Sequence, residues 1–145
     1  MPIQIQIYPE QRLLRTVYTG VVTVPQVSKA YQTFLATPGA EKVKYALNDL
    51  RPLDQLNAFY DAAAVMADLV AADGDDMADP WDIAIVTNNL GHYPLLLEYA
   101  ARIRETSTVR CQVLQDIPAA IEWFGLEQDA FGPLLSDFIL APQDR

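Results

Sequence analysis

One cysteine, one histidine, few basic residues and no long apolar run set the first limits on what this 145-residue chain can do. With Cys111 as the only thiol, no intrachain disulfide can form, and a zinc site built on several thiolates is ruled out. Ten Lys and Arg against nineteen Asp and Glu leave a formal charge of −9, which repels nucleic acid and anionic membrane surfaces. No stretch approaches the roughly 20 apolar residues of a membrane-spanning helix. The opening "MPIQIQIYPE" has no basic leader ahead of an apolar stretch, so no secretory signal is expected and the cytoplasm is the expected compartment. The glycines at 20, 39, 74, 91, 125 and 132 never gather into a dinucleotide or Walker loop. Ser28, Ser107 and Ser136 stand in no G-x-S-x-G elbow. No cofactor is expected, and catalysis is not the expected activity. Two-carboxylate chemistry stays open, because nothing picks out a pair.

What is there reads as alternating elements. "IQIQIY" (3–8) alternates apolar and polar residues like a strand with one wet face. "PEQ" breaks it and "RLLRTVYTG" (12–20) resumes, so the two can form a hairpin. Val27, Tyr31, Phe34 and Leu35 then trace one helical stripe, and Thr23 with Gln26 has the form of a capping box. "VKYALNDL" (43–50) is a more continuously apolar, central strand. Leu56, Phe59, Tyr60, Ala63, Met66 and Val70 mark the buried face of a long alanine-rich helix that ends in the polar loop "ADGDDMADPWD". "IAIVT" (83–87) is the most strand-like segment. A helix follows near 94–105, with Pro94 in its first turn. "TVRCQVL" (108–114) is the last strand, and Asp116 caps a short helix that Gly125 closes. Strands alternating with helices predict one α/β domain, a mostly parallel sheet covered by helices through right-handed crossovers.

Two polar clusters stand where parallel strands end. Asn48, Asp49 and Arg51 follow the central strand. Asn88, Asn89, His92 and Tyr93 follow the strongest one. Asp49 and Arg51 either recognise a polar ligand or pair with each other, since alternate strand positions share a face. His92 either orients a ligand and moves a proton, or caps a helix. Asp49, Arg51, Asn88, His92 and Tyr93 are expected to converge on a shallow cleft, the crevice that parallel sheets open at a topological switch point. The acidic run Asp73, Asp75, Asp76, Asp79 and Asp82 has Ala78 and Ala84 where a calcium loop needs glycine and glutamate. It reads as a solvated loop, and no metal is expected. Cys111, between Val109 and Val113 on one strand face, reads as a small core residue.

"YTGVVT" before a capped helix, then "YALNDLR", "DIAIVT" and "VRCQVLQDIPAAIEWF", resembles the SpoIIAA-like, STAS-related family of small bacterial proteins over about residues 3–126. The resemblance implies a four- or five-stranded, largely parallel sheet with an antiparallel first strand. It also implies a non-enzymatic regulatory or binding role, and the related CRAL–TRIO domains bind apolar lipids. STAS anti-sigma-factor antagonists carry a phosphorylatable serine after the strand matching 44–50. This chain has no serine or threonine between 38 and 86, so that switch is missing.

The expected function is a binding or regulatory module acting through protein–protein contact or a small ligand. The alternatives are a carrier of a lipid or other apolar molecule, favoured by the aromatic second helix (Phe59, Tyr60), and an unrecognised enzyme using His92 with Asp49. Residues 1–126 form the expected domain. Residues 127–145 carry Phe131, Leu134, Leu135, Phe138, Ile139 and Leu140, too apolar to stay in water, and are expected to dock on their own or a partner subunit. The unblunted edge "IQIQIY" and that apolar tail together predict a homodimer.

Overall fold

The computed structural model describes residues 2–57, 60–132 and 134–139, with only the backbone of residues 60 and 61. Strand β1 (Ile3–Tyr8) turns through Pro9–Gln11 into β2 (Leu13–Tyr18), and the two pair antiparallel as the alternation predicts. The stretch read as one strand to residue 20 is interrupted there. Gly20 has a φ of +69°, a conformation that glycine adopts without steric cost, and the chain leaves the main sheet as β3 (Gly20–Thr23). Helix α1 (Val24–Ala36) opens on the expected capping box: the Gln26 N–H donates to Thr23 Oγ1, and the Thr23 N–H donates to Gln26 Oε1. Phe34 is buried on its inner face, whereas Leu35 lies outside the stripe and is exposed.

Strand β4 (Tyr45–Asp49) is followed by β5 (Leu53–Asn57), which pairs in parallel with β3 as a separate two-stranded sheet. Leu56 therefore belongs to a strand, not to the helix face assigned to it from spacing. The remaining elements are α2 (Tyr60–Asp75), β6 (Asp82–Val86), α3 (Tyr93–Thr106), β7 (Arg110–Leu114), α4 (Ile117–Trp123) and α5 (Leu134–Ile139). Among the described residues, no helix is long and apolar enough to cross a membrane.

The main sheet has the order β1-β2-β4-β6-β7, with every pair after β1–β2 parallel. Each crossover moves one strand in the same direction, so right-handed connections put α1, α2 and α3 on one face. Their inner residues share a core with Leu14, Ala46, Ile83, Ile85 and Cys111. The opposite face carries Leu13, Leu47, Ala84 and Val86, covered by α4 and α5 through Ile117, Ile121 and Phe138.

Helix α2 runs further than its acidic end predicts. The Asp75 carboxylate receives the Thr108 N–H at 2.9 Å and also the Thr108 hydroxyl, and Gly74 lets the helix press onto the start of β7. A Cβ at position 74 would lie 2.7 Å from Val109 Cγ2 and 2.8 Å from Trp81 Cε3. Gly74→Ala is therefore expected to lower stability by about 1–3 kcal/mol through overpacking, despite alanine's better helix propensity. Urea unfolding checks it, and an unchanged or raised midpoint would contradict the close approach.

Candidate functional site

Six of the seven polar residues singled out at strand ends form two groups rather than one, and Asn48 stands apart from both. Asp49 is fully buried and points toward α5. Arg51 grips it from Nε at 2.9 Å and Nη2 at 2.8 Å, and the Arg51 backbone N–H adds a third bond at 3.1 Å. The same guanidinium donates to the carbonyls of Phe138 and Ile139, both at 2.6 Å. This is a strut between a central strand and the last turn of α5. The second group belongs to the turn into α3. The Thr87 hydroxyl accepts the Asn89 N–H, and Asn89 Oδ1 accepts the Gly91 N–H at 2.9 Å. Asn88 is exposed, His92 sits at the N-cap of α3, and Tyr93 packs on the α1–α3 core. His92 Nδ1 is buried without a hydrogen-bond partner among the described residues, and Asp49, held by Arg51 toward the other face, is not its acid. The physical reason is the strand order. It never reverses between neighbouring parallel strands, so the sheet has no switch point at which a crevice would open.

The acidic run is taken up by the scaffold. Asp73 accepts the Tyr31 hydroxyl at 2.6 Å, Asp79 pairs with Arg12 and Lys44, and Asp82 pairs with Lys44 and Arg110. Hydrogen bonds from Lys44 hold the Asp79 carboxyl below the ordinary range. Cys111 is 1% exposed on the α1–α3 side, and burial pushes its thiol up to about 12. It should therefore resist iodoacetamide in the native protein and react fully in denaturant, since the thiolate is the reactive form. Labelling in native buffer within minutes would contradict this burial.

A cavity of about 150 Å³ lies between the sheet and α1, α2 and α3. Ala30 of α1, Ala46 of β4 and Ala63 of α2 are among the residues that line it. Its walls are almost wholly apolar, and none of the described lining residues is charged at neutral pH. The floor is not uniform, however. Thr16 and Asn48 are direct neighbours in the parallel β2–β4 register, flanked by Ile5 and Ile85 in the same row across the sheet. Both side chains line the cavity, and neither makes a side-chain hydrogen bond in the described structure. Tyr18 and Tyr99 add two further hydroxyls. Burial pushes the Tyr18 hydroxyl up to about 12, and burial, with Cys111 and Tyr18 nearby, raises that of Tyr99. Trp81, another wall residue, has a buried indole N–H without a partner among the described residues.

Of this site the strand-end reading caught only Asn48, and placed it on a rim rather than a floor. The signal was the alternation itself. Counting inward from Leu14 and Ala46 puts Thr16, Tyr18 and Asn48 on the helix-covered face, where apolar residues are the rule. Phe59, the Tyr60 side chain and Leu140 lie outside the described residues.

No protein-family model matches the chain, and no curated protein matches it. Among solved structures, the chain is similar to an uncharacterised protein from the DUF3478 family with a SpoIIAA-like fold, from Shewanella loihica PV-4. Identity is 22% over 83% of this chain and 90% of that one, with a TM-score of 0.47. The match names the same SpoIIAA-like fold as the resemblance read from the sequence.

Proposed function

We propose that this protein is a non-enzymatic binding module that takes up a small apolar molecule between its sheet and helices α1–α3. The observation that carries the reading is the cavity, whose floor and walls come from the middle strands and all three crossover helices. Interiors normally pack to the density of organic crystals, and an unfilled volume forfeits dispersion contacts on every side. A dry apolar cavity of about 150 Å³ is large enough to take benzene. A ligand restores the lost contacts, and no covalent step is required of the protein.

Calorimetry in the presence of toluene tests this. At about ten times its Kd a ligand adds about 1.4 kcal/mol, which raises the Tm of a domain this size by about 4–5 °C. A Tm unchanged near the aqueous solubility limit of toluene overturns the reading.

We also propose a homodimer formed through the outer face of α2 and α3. Val65 and Leu69 of α2, Leu97 of α3 and Leu90 just before it are exposed, Leu90 at 78%, and these helices pack side by side. An exposed apolar face of this kind is what a symmetric dimer would bury, if the face matches itself across a two-fold axis. Light scattering is expected to give twice the chain mass at micromolar concentration, and Leu90→Glu with Leu97→Glu to halve it. A monomeric wild type contradicts it.

A further inference from the structure

The cavity's chemistry narrows what it can hold, given that it binds a ligand at all. We infer that its ligand is an uncharged molecule with an apolar body and one small hydroxyl or carbonyl head, seated with that head on the Thr16–Asn48 strip. Thr16 is 4% exposed on a central strand, and its hydroxyl and the Asn48 amide are left without partners on the cavity floor. Asn48 is half-buried, and the polar atoms of both residues keep surface that a ligand head or water can reach, so a head group seated there gains hydrogen bonds without displacing any made within the protein. A threonine and an asparagine side by side offer donors and acceptors together, so they serve an alcohol or a carbonyl equally. The buried indole N–H of Trp81 is a further unsatisfied donor in the same wall.

Charge decides against the commonest amphiphiles. No lysine, arginine or histidine appears among the described lining residues, so a carboxylate or phosphate head would enter without a counter-ion. An unpaired buried charge costs far more than the hydrogen bonds it could form there. The tyrosine hydroxyls nearby stay protonated at neutral pH, because burial opposes their ionisation. A cation finds no carboxylate among those lining residues either. The volume limits the body to about the size of a single aromatic ring or a short chain.

Three soluble probes with the same body separate these demands: toluene, benzyl alcohol and benzoate, titrated at pH 7.4 into the ¹⁵N-labelled full chain and read as amide shifts. Benzyl alcohol is expected to bind about three- to tenfold tighter than toluene, the range of one net hydrogen bond. Benzoate is expected to bind at least about a hundredfold more weakly than the alcohol. Asn48→Leu and Thr16→Val keep the heavy-atom count and branching of the side chain and remove one polar group each, so both are expected to fold with stability near that of the wild type. Together they should erase the alcohol's advantage while leaving toluene binding intact. Equal affinity for alcohol and toluene, or benzoate binding as well as either, overturns the head-group inference alone. Failure of all three probes to bind overturns the proposed function itself, and this inference with it.

Discussion

Arg51→Ala is expected to destabilise the protein by about 3–5 kcal/mol, the cost of breaking a buried ion pair from one side. Asp49 is fully inaccessible and loses two guanidinium contacts, at 2.9 and 2.8 Å, while the backbone bond from residue 51 remains. The carboxylate is then buried without a counter-charge. At the other end of the strut, the Phe138 and Ile139 carbonyls lose their donors at 2.6 Å, and carbonyls of a last helical turn have no partner inside the helix. Arg51→Lys should recover little, because a single ammonium cannot reproduce a planar fork that serves a carboxylate and two carbonyls. The double variant Asp49→Leu/Arg51→Met should recover much of the loss, since an apolar pair carries no desolvation penalty. Urea midpoints at constant m-value read all three. A loss below about 1 kcal/mol for Arg51→Ala, the range of exposed pairs, would show that the strut is solvated.

Phe138→Ala is expected to cost a similar amount, about 3–5 kcal/mol. Phe138 is completely buried. Its ring meets Tyr8 edge-on at 5.3 Å and Phe131 at 5.9 Å, and the Arg15 guanidinium lies 4.8 Å from its centroid. Truncation to alanine removes the aromatic pairs, leaves a void over β1 and β2, and strips the cover from Arg15, whose Nε is already buried without a partner among the described residues. A chain ending at Leu126 loses Phe131 as well and should unfold at markedly lower urea, at any protein concentration. Unchanged stability in that shortened chain would contradict the packing of α5 on its own sheet. Of the apolar residues between 131 and 139, Phe131 and Phe138 are buried against their own chain, Leu134 and Leu135 partly so, and Ile139 is exposed.

The sheet was legible because β1 alternates with period 2, α1 carries a 3.6-residue stripe, and β6 is a short apolar run buried on both faces. The capping box at Thr23 and the Asp116 cap were legible for a related reason, as each is satisfied by residues within three positions. The β3–β5 pair was not. Its two short strands come from separate stretches of chain and are joined only by the fold, while Leu53 and Leu56 sit at helix-compatible spacing. The strut at Arg51 was half legible. Pairing with Asp49 is local, but the carbonyls of Phe138 and Ile139 lie 87 and 88 positions away. The cavity was hidden for a third reason. Its lining comes from β1, β2, β4, β6 and all three crossover helices, stretches far apart in the chain that only the fold brings together.

Intermolecular NOEs test directly whether the cavity between the sheet and α1–α3 is a ligand site. In the full chain with ¹³C-labelled methyl groups, benzyl alcohol protons are expected to show NOEs to Val27, Ile83 and Leu96, which line the cavity from α1, β6 and α3. NOEs confined to Leu90 and Leu97, the exposed aliphatics at and before α3, or none at all at saturating ligand, would contradict it.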